Sequence, residues 1–112
     1  MVGIDLVDID RIEKALASTK FVQEVFTLSE REYCKKAENF AGIYCAKEAF
    51  VKAVGTGLTR SSFGEIEVLH YENGAPYYNL KGKASEALDK RKAHLPISHD
   101  KGVAIAICML EK

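Results

Sequence analysis

The stretch Phe40-Ala41-Gly42-Ile43-Tyr44-Cys45-Ala46-Lys47-Glu48-Ala49-Phe50-Val51-Lys52-Ala53-Val54 decides the architecture. Phe40, Ile43, Tyr44, Phe50, Val51 and Val54 make a wide apolar stripe at helical spacing, while Ala41, Gly42, Cys45, Ala49 and Ala53 keep the remaining surface small. Bulk on one side and small residues on the other describe a helix buried nearly all round, whose small side admits another backbone at close range. Lys47, Glu48 and Lys52 are then charges in a place short of water, and each needs a partner. Gly55 and Gly57 punctuate the end of the helix.

Outward from this helix, Val2 to Ile9 alternates, with Val2, Ile4 and Leu6 on one face and Gly3, Asp5, Val7 and Ile9 on the other, the pattern of a largely buried strand. A helix follows from Asp10 and fades near Ser18 to Lys20, and a second helical turn covers Phe21 to Phe26. Ser29 and Glu32 have capping-box spacing for a third helix. Downstream, Ile66 to Tyr71 and Tyr77 to Leu80 form a hairpin through Asn73-Gly74-Ala75-Pro76, and Gly82 to Lys92 reads as a helix with a basic outer face. Leu95 to His99 and Val103 to Leu110 are two further strands around Asp100-Lys101-Gly102. The expected class is α+β: one domain over residues 1–112, an antiparallel sheet packed on the long central helix and shorter helices.

Composition bounds the function. A chain of 112 residues, 47% hydrophobic and 29% charged, suffices for one core and not two. Sixteen basic against sixteen acidic side chains give zero net charge, so no general field recruits nucleic acid. The longest apolar run, Val103 to Leu110, falls far short of the ~20 residues of a membrane span. Asp5, Asp8 and Asp10 interrupt the amino terminus where a targeting signal is basic and then greasy, so a cytoplasmic protein off the membrane is expected. Cys34, Cys45 and Cys108 match no zinc or redox spacing and read as small reduced core residues.

Asp5 on an apolar strand face and Glu48 on a buried helix are both costly carboxylates unless a cation compensates them, and a divalent ion does this. The plainer reading is a strand-end aspartate and a surface glutamate. Glu48 and Lys52, four apart, are either an ordinary helix pair worth ~0.2–0.5 kcal/mol or a carboxylate with a cation one turn away, placed to neutralise phosphate. Gly55-Thr56-Gly57 either caps the helix or opens backbone amides to a ligand, with the Thr56 hydroxyl beside them. Ser98 and His99 end a strand and point to opposite faces, so they are not a nucleophile and its base. His70 and His94 read as surface residues.

Taken in order, Gly3-Ile4-Asp5-Leu6-Val7-Asp8-Ile9-Asp10-Arg11-Ile12, Ala46-Lys47-Glu48-Ala49-Phe50-Val51-Lys52-Ala53-Val54-Gly55-Thr56-Gly57, Phe63-Gly64-Glu65-Ile66-Glu67-Val68, Gly74-Ala75-Pro76 and Ile97-Ser98-His99-Asp100 closely resemble the holo-acyl-carrier-protein synthases. These are the short bacterial branch of the 4′-phosphopantetheinyl transferases. The resemblance implies transfer of phosphopantetheine from coenzyme A to a serine of acyl carrier protein, in fatty acid biosynthesis. It implies that Asp5 and Glu48 hold Mg²⁺ against the coenzyme pyrophosphate and that Lys52 stabilises charge at phosphate or the leaving group. By the same resemblance Gly55, Thr56 and Gly57 are expected to line the coenzyme's path, Ser98 and His99 to contact its nucleotide end, and Arg11 to meet the acidic helix of the carrier protein. A homotrimer with active sites between subunits is implied as well.

Two positions depart from the wider pattern. Ile43 stands where many relatives carry an arginine, leaving Lys47, Arg60 or a lysine of the basic cluster to replace its phosphate contact. Val7 stands where larger relatives have a third acidic ligand, as in the short branch. The competing readings are an oligomeric module that binds coenzyme A or a carrier protein without reaction, and a structural protein in which Glu48 and Lys52 are only a helix pair.

Overall fold

The computed structural model describes residues 1–55 and 57–112. Its elements in order are β1 (Val2–Asp8), α1 (Ile9–Ala15), α2 (Thr19–Val25), α3 (Leu28–Tyr33), α4 (Ala37–Val54), a 3₁₀ helix (Arg60–Glu65), β2 (Ile66–His70), β3 (Pro76–Leu80), α5 (Gly82–Leu88), β4 (Lys92–His94), β5 (Ile97–Asp100) and β6 (Val103–Glu111). The nine-residue β6 is the spine of a four-stranded antiparallel sheet. β1 pairs along one edge, with Asp5 opposite Ala106 and Val7 opposite Ala104. β5 and β4 share the other edge end to end, Ile97 also opposite Ala106 and Ala93 opposite Leu110. β2 and β3 form a separate two-stranded hairpin.

Helix α4 lies across the inner face of the sheet, and its small residues explain how. A side-chain carbon on Gly3 would sit 2.0 Å from the carbonyl oxygen of Ala49 and 2.6 Å from the amide of Ala53, so strand and helix touch backbone to backbone. One step along, Cys45 reaches the Ala104 carbonyl at 3.5 Å, and beyond it Gly42 faces Ile97. The bulky side of α4 takes the hairpin, where Phe50 packs on Tyr78 at 5.2 Å between ring centres. Gly55, with φ +88°, stops the helix in the left-handed conformation glycine tolerates.

Four sequence expectations change. β1 buries one face only: Val2, Ile4 and Leu6 are 58%, 53% and 61% exposed, because Gly3 commits the other face to α4. The capping box of α3 is Thr27 with Glu30, not Ser29 with Glu32, since the Glu30 carboxylate is drawn inward. α5 ends at Leu88, where Asp89 and Lys90 turn left-handed, and Lys92 begins the unexpected strand β4 on β6. His70 is partly buried and stacked on Tyr33 at 3.9 Å, not a free surface side chain. The three cysteines are free and buried, and burial pushes the Cys34 thiol up to about 12, where it is an inert core residue.

Candidate active site

The close approach of β1 to α4 brings Asp5 to the helix. Lys52 Nζ donates to Asp5 Oδ1 at 2.9 Å and to the Ile4 carbonyl at 3.2 Å, joining two residues 47 positions apart. The Asp5 side chain is 13% exposed and that of Lys52 53%, so the pair sits at the rim of the sheet–helix seam and opens to solvent. The Asp5 bond holds the Lys52 ammonium above its ordinary range, keeping it charged at neutral pH. Glu48 lies one turn earlier and is partly exposed. Burial, then the charge and hydrogen bond of Asp5, then the charge of Glu48 push the neighbouring Cys45 thiol up, so both carboxylates act on one atom of α4.

Tyr44, Glu48 and Lys52 are spaced four apart and line one edge of α4. Burial raises the Tyr44 phenol; Glu48 and Asp5 add to this, while Arg60 and Arg11 oppose it. The Lys52–Asp5 bond and the Arg60–Tyr44 bond thus flank Glu48 along this edge of α4. Sequence reasoning counted Tyr44 as core and Arg60 as one of several spare cations. The signal for Tyr44 was present, since the stripe's phenol stands one turn before Glu48.

The other expected site residues lie apart from this rim. His99 shares the inner face with Ala104 and Val7, its Nδ1 3.6 Å from Glu38 Oε2. It opens on a cavity of about 210 Å³ near the start of α4, with Gly42, Ile43, Gly74 and Pro76 in the wall. Ser98, in register with Ile105 and Leu6, lies on the opposite, outer face. Gly55 and Gly57 follow the helix at φ +88° and +84°, with open space where a side chain would be. Thr56 lies outside the described residues. Arg11 lines a groove of about 500 Å³ with Asp8, Asp10, Lys14 and Lys101.

Lys47 is not a spare cation. It is fully buried, donating to Glu30 Oε1 at 2.7 Å, to the Phe63 carbonyl at 2.9 Å and to the Val25 carbonyl, which uses all three ammonium protons.

The chain is similar to known proteins over nearly its whole length. The family model of the 4′-phosphopantetheinyl transferase superfamily matches residues 1–108. A holo-[acyl-carrier-protein] synthase of Thermoanaerobacter sp. (strain X514) is 43% identical over 113 aligned residues, covering 94% of this chain and 82% of the relative. The crystal structure of the Helicobacter pylori holo-[acyl-carrier-protein] synthase in complex with coenzyme A superposes with a TM-score of 0.89 at 32% identity, covering 99% of this chain and 100% of that one. A Chronobacterium ammoniagenes complex of such a synthase with coenzyme A gives 0.86 at 33% identity, covering 98% and 95%.

Proposed function

Because the chain belongs to the 4′-phosphopantetheinyl transferase superfamily, we propose that it moves the phosphopantetheine arm of coenzyme A onto a serine of apo-acyl carrier protein and releases adenosine 3′,5′-bisphosphate. The observation that carries the reading is the Asp5–Lys52 bond one turn from Glu48, which assembles a charged centre from residues remote in sequence. In the reaction the serine hydroxyl gives its proton to a base, its oxygen bonds to the phosphorus next to pantetheine, the diphosphate P–O bond breaks, and negative charge grows on the departing oxygen. Lys52, charged and half-exposed, offsets that charge.

Asp5 and Glu48 are the residues that would hold Mg²⁺. Two hard carboxylate donors, Asp5 at the open rim and Glu48 partly exposed on α4, suit a hard ion that keeps waters and takes its other ligands from phosphate. When bound, the ion offsets diphosphate charge. Gly55, Thr56 and Gly57 line the approach of the coenzyme, with Ser98 and His99 at its nucleotide end. Arg11 lines the groove that holds Lys14 and Lys101, a local basic patch suited to meet an acidic carrier helix.

The assembly proposed is a trimer with active sites between subunits. Its support is the outer face of the sheet, where Val2, Ile4 and Leu6 stand opposite Met109, Ile107 and Ile105 and form an apolar surface on a single copy. Such a contact also brings Ser98, on that same face, to a neighbouring copy. A cytoplasmic setting accords with three free buried cysteines, and no helix among the described residues is long and apolar enough to cross a membrane.

The test is a mass measurement. Incubated with coenzyme A, Mg²⁺ and a verified apo-carrier protein, the chain should raise the carrier's mass by one phosphopantetheine; an unchanged mass rejects the assignment.

A further inference from the structure

The geometry points to Arg60 as the residue that grips the diphosphate of coenzyme A. The inference rests on the transferase reading above. Arg60 opens the 3₁₀ helix just after the Gly57 turn and is exposed, yet its guanidinium is not loose. It lies over the ring of Phe21 at 5.5 Å and that of Tyr44 at 5.8 Å, and its Nη2 donates to the Tyr44 hydroxyl at 3.1 Å. Among the described residues no carboxylate lies within ion-pair distance of it. One of its five N–H donors is used, and among the described residues the others have no hydrogen-bond partner.

A guanidinium fixed by two aromatic faces has lost most of its side-chain freedom before any ligand arrives, so little more is lost on binding. Its planar fork matches two oxygens of a phosphate, which a lysine does not. Its place selects which phosphate. Tyr44, which holds it, stands one turn before Glu48 and two before Lys52 on α4, so the fork lies along the same helix edge as the Asp5–Lys52 pair. Of the other cations the sequence offers in place of an arginine at Ile43, Lys47 is consumed in the core, and the cluster lysines Lys83, Lys90 and Lys92 lie on α5, just after it and on β4.

The experiment measures coenzyme A binding by calorimetry and steady-state kinetics for wild type, Arg60→Met and Arg60→Lys, using both coenzyme A and its analogue lacking the 3′-phosphate. Arg60→Met should weaken coenzyme binding and raise its KM about tenfold or more, as expected for a lost charge-assisted contact, with kcat and the carrier KM within about threefold of wild type. Arg60→Lys should recover less than half of the loss, and the analogue should suffer the same factor, because the diphosphate is common to both. Should Arg60→Met fold poorly, Tyr44→Phe keeps the rings, removes the anchoring hydroxyl and should loosen coenzyme binding by about threefold. Unchanged coenzyme binding, a rise confined to the carrier KM, or a penalty absent with the analogue overturns the assignment. Wild-type transfer beside an unaffected Arg60→Met rejects Arg60 alone; failure of the wild type to bind coenzyme A rejects both it and the transferase reading.

Discussion

Helix α4 carries two lysine–carboxylate pairs five positions apart, and they have opposite characters. Lys47 and Glu30 are wholly excluded from solvent, whereas Lys52 and Asp5 sit at an open rim. Burial raises the Glu30 carboxyl and lowers the Lys47 ammonium, and their mutual bond works against both shifts. Taking two ions out of water costs several kcal/mol each, so the pair persists because all three Lys47 protons and both Glu30 oxygens find partners. Glu30 also accepts from the Thr27 and Val68 amides, at 2.8 and 2.7 Å. The cluster thereby fastens the end of α2, the start of α3, the 3₁₀ helix and β2 to one point of α4. Lys52 makes two bonds and keeps half its surface in water, so its pair adds little to stability and its charge stays available to a ligand. Burial, not residue type, separates the lysine that builds the fold from the one that serves it.

The largest effect should come from breaking the closed pair. Lys47→Met leaves the Glu30 charge buried without its counter-ion, and urea unfolding should show a loss of about 3–5 kcal/mol. Lys47→Met combined with Glu30→Gln should regain much of that loss. If the single variant is as stable as wild type, the cluster is not a fastening point. At the open pair the expectation inverts. Lys52→Ala should change the unfolding free energy by less than about 1 kcal/mol, yet reduce phosphopantetheine transfer about a hundredfold, as removal of one preorganised charge does. Glu48→Gln should likewise fold normally and lose most turnover. Variants that lose stability and turnover together would erase the distinction.

An intermediate effect tests how the open pair is assembled. Gly3→Ala drives a methyl group into the Ala49 carbonyl, and β1 must lift from α4 at a cost of about 1–3 kcal/mol. Asp5 rides on the same strand, so transfer should fall further than the lost stability explains. Activity that simply follows the folded fraction would show that Asp5 needs no such tight seam.

How much of this was legible in the sequence follows from the range of each interaction. The central helix and its small face were readable because Gly42, Cys45, Ala49 and Ala53 repeat at helical spacing, a local signal. Which face of β1 turns inward was not, since Val2, Ile4 and Leu6 are more apolar than Gly3 and Asp5, and packing on Ala49 overrode hydrophobicity. Ser29-x-x-Glu32 and Thr27-x-x-Glu30 carry the same capping spacing, and only the long-range bond to Lys47 chooses between them. β4 was hidden because Lys92-Ala93-His94 has no strand signature, and left-handed Asp89 and Lys90 leave none either. Within the site, Asp5, Glu48 and Lys52 stood out as misplaced charges, but their meeting depends on the register of β1 on α4. Arg60 stood among equals until its aromatic seat was visible.

The smallest effect concerns a third, partly buried titratable group, His70. His70 Nδ1 is buried with no hydrogen-bond partner among the described residues, and its ring stacks on Tyr33 with 6° between the planes. Desolvation lowers the pKa of this imidazole below its ordinary 6.5. In the unfolded chain the ring takes its proton at the ordinary value, so below about pH 6.5 the unfolded state binds more protons. The stabilisation from keeping the ring neutral is thus complete above that pH and drains away as pH falls through the folded value. His70→Phe keeps the stack and removes the titration. Urea midpoints of the two proteins should therefore keep a constant separation from pH 8 to 7 and shift toward the variant from pH 6.5 to 5. A separation that stays flat to pH 5 means the ring accepts its proton in place, and burial without a partner then carries no penalty at this position.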